Sequence, residues 1–151
     1  MLEKDFNNII SRSLNDFGGF GFKIPDTFAA GKSYVRSKAP YDGYGIYQNH
    51  FVCWESKWLK APQAFPLTRL EDHQIYNLIH SFELLPSSYS FFFIGVDFGR
   101  NDKRCFVWKN EELYNIRDRK LRKENILKKE FEQNQNFVRI HKNKIDLSHV
   151  L

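Results

Sequence analysis

The sequence predicts an α/β domain in which a central mixed sheet, carrying a hairpin, is flanked by helices. Three observations lead there. Leu2, Phe6, Ile9, Ile10 and Leu14 recur at near-helical spacing ahead of Gly18-Gly19. Two strand-like runs, 41–47 and 50–57, are separated only by Gln48-Asn49. Residues 89–98 are then almost unbrokenly apolar, with Phe91-Phe92-Phe93-Ile94 at the centre, as in a strand covered on both faces.

Taken in order, the first helix is expected over 2–17 and is ended by Gly18-Gly19. A short strand over 20–24 stops at Pro25-Asp26. Residues 27–38 mix small side chains with Lys32, Arg36 and Lys38, and read as a loop or a short projecting arm whose three cations are candidates for phosphate contact. In the hairpin, Asn49 accepts a positive φ, which suits a two-residue turn. Pro62 and Pro66 punctuate the link that follows. Thr68 is placed to cap a helix over 70–85, with Glu71 as its capping-box partner and Pro86 at its close. A strand over 104–108 follows the turn Arg100-Asn101-Asp102. Asn110 is expected to cap a short helix through Tyr114, with helix continuing to about Gln133, and short extended pieces over 137–147 end the chain.

The chain of 151 residues reads as a single domain, long enough to bury about 70% of its unfolded surface. Its 15 Phe against one Met point to a core of rigid rings. Cys53 and Cys105 show no metal-type spacing and are expected to be reduced, in a cytoplasmic protein. The N-terminus lacks the layout of a signal peptide. No apolar run reaches the ~20 residues that span a bilayer, so no membrane partner is expected.

Charge is concentrated. Residues 117–129 carry seven Lys or Arg against two acidic residues, an excess equal to the net +5 of the whole chain. Arg117, Arg119, Lys120, Arg122 and Lys123, in a basic helical segment over 117–133, suit phosphate binding; a solvated helix face is the competing reading. Arg69 is a further candidate for phosphate contact.

The most informative residues are Asp42, Glu55 and Lys57. A turn at Gln48-Asn49 pairs Tyr47 with His50, and counting outward sets Asp42 opposite Glu55. Opposed residues have Cβ atoms ~4.5–5.5 Å apart, so both carboxylates could grip one cation. Lys57 falls on the same face as Glu55. The alternative is a solvent-facing pair of charged strand positions, and a slip of one residue would separate them. The chemistry suits phosphodiester hydrolysis, in which magnesium takes oxygen ligands and keeps several waters. Asp42, Glu55 and a Gln74 carbonyl supply the oxygens, and Lys57 a cation near developing charge. His73, beside Gln74, either serves the site or packs against the sheet, with packing the favoured reading, and Trp54, Trp58 and Trp108 are expected to belong to the core.

The order of elements, with Asp42 and Glu55-Ser56-Lys57 on the hairpin, resembles the restriction-endonuclease-like PD-(D/E)XK fold. Asp42-Gly43-Tyr44-Gly45, Glu55-Ser56-Lys57, Phe65-Pro66-Leu67 and His73-Gln74, in this order, are similar to the RecU family of Holliday junction resolvases. The resemblance covers roughly 2–108 and returns weakly near the C-terminus. It implies a homodimeric, magnesium-dependent endonuclease, with manganese able to substitute, that cuts paired strands of four-way DNA junctions. It assigns Asp42, Glu55 and Gln74 to the metal, Lys57 to transition-state charge, and Glu3 to an accessory acidic position on the first helix. Two departures stand out. Ala39-Pro40 replaces the Ser or Thr that the family carries ahead of the Asp, and 27–38 is a shortened form of the family's junction-entering stalk. Cleavage of other branched or duplex DNA by the same fold, or a non-catalytic DNA-binding scaffold, are the alternatives.

Overall fold

The computed structural model describes residues 1–24 and 39–150. The arm expected over 27–38, with Lys32, Arg36 and Lys38, lies outside the described residues. Helix α1 (Glu3–Asp16) leads into strand β1 (Gly19–Lys23), and the hairpin β2 (Gly43–Tyr47) and β3 (His50–Leu59) follows. After the two-residue strand β4 (Phe65–Pro66) and a 3-10 turn (Leu67–Arg69) come α2 (Asp72–Leu84), β5 (Tyr89–Asp97) and β6 (Lys103–Lys109). The remainder is α3 (Glu112–Leu121), β7 (Asn125–Ile126), α4 (Lys128–Gln133), β8 (Phe137–His141), β9 (Lys144–Ile145) and a 3-10 turn (Leu147–His149).

Among the described residues one sheet of seven strands has the order β1-β2-β3-β5-β6-β8-β9, and β4 pairs with β7 in a separate small ladder. β3 and β5 run parallel, while the other pairs are antiparallel. The expected mixed sheet with a central hairpin is therefore present. α2 is the crossover between the two parallel strands, as such a connection requires. β5 sits between β3 and β6, and its Phe91, Phe92, Phe93 and Ile94 are each at most 2% exposed. Alternation along β5 divides them: Phe92 and Ile94 pack with Ile75, Leu78 and Phe82 of α2, Phe91 and Phe93 with Phe6, Ile10 and Leu14 of α1. Each buried ring contributes roughly 1.5–3 kcal/mol. Trp54 and Trp58 are buried as expected, and Trp108 packs partly buried against the α2 side.

The hairpin turn is as the sequence indicated. Gln48 and Asn49 both take positive φ (48° and 66°), the backbone of a type I′ turn, and Tyr47 faces His50. Gly45 is required by close approach, because a Cβ there would stand 2.0 Å from the Phe20 carbonyl oxygen of β1. Gly45→Ala is expected to push β1 off β2 and cost about 1–3 kcal/mol, read as a fall in Tm of several degrees by calorimetry.

Three expectations are corrected. Thr68 does not cap α2, because it lies inside the 3-10 turn (Leu67–Arg69); Glu71 is the N-cap residue, and its N–H donates to Gln74 Oε1 at 2.8 Å. Asn110, at φ 46°, serves the sheet rather than a helix start. Its Oδ1 accepts the Ser90 N–H (2.9 Å) and its Nδ2 donates to the Ser88 carbonyl (3.1 Å), fixing the entry to β5. The basic segment is also not one helix. Lys123 takes a left-handed φ of 57°, its N–H donates to the Lys120 carbonyl, and the Glu124 N–H donates to the Arg119 carbonyl. Those two bonds are a Schellman closure of α3, after which β7 intervenes before α4.

Candidate active site

The register brings the two carboxylates together. Gly43 faces Trp54, and one step further out the Asp42 N–H donates to the Trp54 carbonyl at 3.0 Å, where β2 ends and β3 continues. Asp42 is held along its whole length. Its carbonyl accepts from the Ile24 N–H (2.8 Å) and from Asn7 Nδ2 (3.4 Å). Its Oδ2 accepts from the Ser56 N–H (2.8 Å) and the Ser56 hydroxyl (3.1 Å). Asn7, on α1, also accepts the Trp54 indole N–H at 2.7 Å, so one amide ties the helix to both strands of the hairpin.

Glu55 is 2% exposed, and Asp42 stands near enough to act on its charge. Burial, with the Asp42 charge second, pushes its carboxyl up to about 9, against the pull of the Lys57 ammonium. Gln74 Nε2 donates to Glu55 Oε1 at 2.6 Å. Since Gln74 Oε1 is taken by the Glu71 N–H, Gln74 meets the site through its amide; the carbonyl expected to face a cation is the acceptor of the helix cap.

Lys57 is nearly buried, with Nζ 3.7 Å from Glu55 Oε1 and 3.5 Å from Glu3 Oε1. Glu3 in turn lies 3.4 Å from Arg69 Nη2, and the Arg69 guanidinium stands over the Phe65 ring at 5.0 Å. Glu3 at the start of α1 and Arg69 at the end of the 3-10 turn thus join the cluster, Arg69 as the partner of Glu3. Ionic contacts of Glu3 and Arg69, both about two-fifths exposed, are each worth only ~0–1 kcal/mol. Their contribution is to the placement of Lys57.

The converging donors are carboxylate oxygens, and among the described residues no group of three or more His, Cys, Asp or Glu is arranged to hold a metal. A magnesium-like cation suits such a set, since it is held through one or two carboxylates and retains its waters. Two adjacent carboxyls, one of them buried, are costly without a compensating cation. The residues therefore fit a hard divalent ion.

The basic segment divides. Arg119 is committed internally, donating to Glu130 Oε1 (3.0 Å), Glu130 Oε2 (2.9 Å) and the Asn125 carbonyl (2.7 Å). Lys120 bonds Asp72 at 2.6 Å, joining α3 to the first turn of α2, two residues from Gln74. Arg122 pairs with Glu124, and Arg117 with the adjacent Asp118 at 3.3 Å. Lys123, exposed after the turn, has no such ion pair among the described residues. His73 is 3.3 Å from Glu71 and 30% exposed, so it lies over the helix start rather than packed on the sheet.

Asn7 and Ser56 escaped the sequence reading. Ser56 sits between Glu55 and Lys57, and the hydroxyl beside Asp42 comes from this facing strand, not from position 40. Asn7 on the inner face of an amphipathic helix is the one signal that was readable, a polar residue among Phe6, Ile9 and Ile10.

The family described as Recombination protein U matches the chain over residues 25–150. Relatives in Staphylococcus aureus strains JH9 and COL, each described as Holliday junction resolvase RecU, are 29% identical over 52 residues, 34% of this chain. That match spans 25% of the relatives' length. Among solved structures, Hjc, a Holliday junction resolvase from Archaeoglobus fulgidus, aligns with TM-score 0.43 and 14% identity over 75% of this chain and 92% of that one.

Proposed function

Because the chain belongs to the RecU (Recombination protein U) family, we propose that it is a magnesium-dependent endodeoxyribonuclease that resolves four-way DNA junctions. The observation that carries this reading is the Asp42–Glu55 carboxyl pair with the Lys57 ammonium 3.7 Å from Glu55. Asp42 and Glu55 would hold the cation, magnesium or manganese, which when bound polarises a scissile phosphate and acidifies a water. Gln74 orients Glu55 by donating to it. Lys57 supplies a fixed positive charge where negative charge develops. Glu3 and Arg69 set where that charge stands.

The described residues of one chain carry one such cluster, so paired symmetric nicks call for a homodimer. DNA would be drawn by the exposed cations of the basic segment, chiefly Arg117, Arg122 and Lys123, with the charges of Arg119 and Lys120 serving the fold around α3. Such binding weakens steeply as salt rises. A cytoplasmic setting accords with this substrate, and among the described residues no helix is long and apolar enough to cross a membrane.

The test is cleavage of a labelled synthetic four-way junction beside duplex, flap and fork DNAs of the same sequence, in magnesium and in EDTA, with Asp42→Asn as control. Paired symmetric nicks confined to the junction are expected. Equal cutting of every DNA would make the protein a general endonuclease of the same fold. No metal-dependent cutting by the wild type would leave a DNA-binding scaffold.

A further inference from the structure

We infer that Ser56 is a positioning residue that presents Asp42 to the cation, an assignment that rests on the metal-dependent reading of the site. Strand alternation sends Glu55 and Lys57 to one face of β3 and Ser56 to the other. Ser56 nonetheless makes both of its donors available to one oxygen. Its N–H and its hydroxyl converge on Asp42 Oδ2 at 2.8 and 3.1 Å, and the residue is fully buried.

The cause lies in the sheet. β2 begins only at Gly43, so on that side of β3 the described residues offer the Ser56 N–H no strand carbonyl, while on the other side Ser56 lies opposite Phe93 of β5. The Asp42 carboxylate takes that place. A backbone N–H alone leaves a carboxylate free to turn about its own axis. A second donor on the same oxygen fixes the plane and leaves Oδ1 as the oxygen with no backbone or hydroxyl donor among the described residues. With the Asp42 N–H and carbonyl also bonded, to Trp54, Ile24 and Asn7, the ligand is set before any cation arrives. Loss of the hydrogen-bond partner of a ligating carboxylate costs ~10–100-fold in metal affinity.

The experiment is calorimetric titration of the full chain with magnesium chloride in the absence of DNA, beside thermal unfolding in EDTA. Wild type is compared with Ser56→Ala, which keeps the N–H and removes the hydroxyl, and with Ser56→Thr, which restores a hydroxyl. Ser56→Cys, close to serine in volume but a weak donor, replaces the alanine variant if that one does not fold. The expected result is magnesium binding at least about tenfold weaker in Ser56→Ala, with Tm in EDTA close to wild type and recovery of affinity in Ser56→Thr. Equal affinity in wild type and Ser56→Ala would overturn the assignment and leave the proposed function standing. So would equal weakening in the alanine and threonine variants, which marks a packing effect. A wild type that takes up no magnesium would overturn the metal reading and this inference with it.

Discussion

Lys57→Ala is expected to lower the single-turnover rate of junction cleavage by at least ~10²–10³-fold while leaving junction affinity nearly unchanged. The size follows from removing one preorganised donor from a water-poor site, where developing charge depends on it most. The ammonium is nearly buried and lies 3.7 Å from Glu55 and 3.5 Å from Glu3, so no mobile surface lysine replaces it. Affinity is expected to survive because phosphate attraction comes mainly from cations elsewhere on the chain. Single-turnover cleavage at saturating protein and a gel-shift assay in EDTA separate the two effects. Wild-type turnover in the variant would remove Lys57 from the chemistry.

The second large effect is on stability. The folded-state carboxyl of Glu55 is raised from the ordinary 4.5 to about 9. A group raised in the folded state gives stability that is fully present below its unfolded value and is lost as pH rises through the folded value. Without metal, the protein is therefore expected to lose stability between about pH 4.5 and 9, at roughly 1.4 kcal/mol per pH unit from this group. From pH 6 to 8 that amounts to roughly 3 kcal/mol. Glu55→Gln keeps an acceptor for Gln74 and removes the titration, so its stability in EDTA is expected to be flatter over the same range. Magnesium is expected to oppose the loss in the wild type, because a ligating carboxylate must be deprotonated. Urea unfolding at pH 6, 7 and 8, with and without magnesium, checks all three. Parallel pH profiles of wild type and Glu55→Gln in EDTA would mean that Glu55 ionises freely in the fold.

Both expectations rest on a carboxyl pair that the hairpin brings close. A two-residue turn leaves little slack: with Gln48-Asn49 as the turn, the ladder runs from Tyr47–His50 to Gly43–Trp54, one step short of Asp42 and Glu55, and there the Asp42 N–H also turns to the Trp54 carbonyl. β5 was equally legible, since a run such as Phe91-Phe92-Phe93-Ile94 has no solvated face to offer. The break after α3 was not. A left-handed closing residue is usually Gly or Asn, and here it is Lys123, which carries no such signal. The start of α2 is less legible because Thr68 and Glu71 have capping-box spacing, while the chain spends Thr68 on a 3-10 turn and makes Glu71 itself the N-cap. Charge counting also overstated the free cations. It cannot foresee that Arg119 would be consumed by Glu130, or Lys120 by Asp72, across elements distant in sequence. Ser56 was invisible for a related reason, since its partner is set by where one strand outruns another.

The double duty of Gln74 has a consequence for anyone seeking a more thermostable form of this chain. Its position, the third of α2, is one where glutamate is as good a capping residue as glutamine, and a surface-optimising redesign would treat the two as interchangeable. Gln74→Glu preserves the bond to the Glu71 N–H but replaces the donor to Glu55 with a third carboxyl. The helix would be none the worse and the site would lose the group that orients Glu55. At this one amide the helix cap and the orientation of Glu55 are wired to the same atoms, and improvement of one by the usual rules disarms the other.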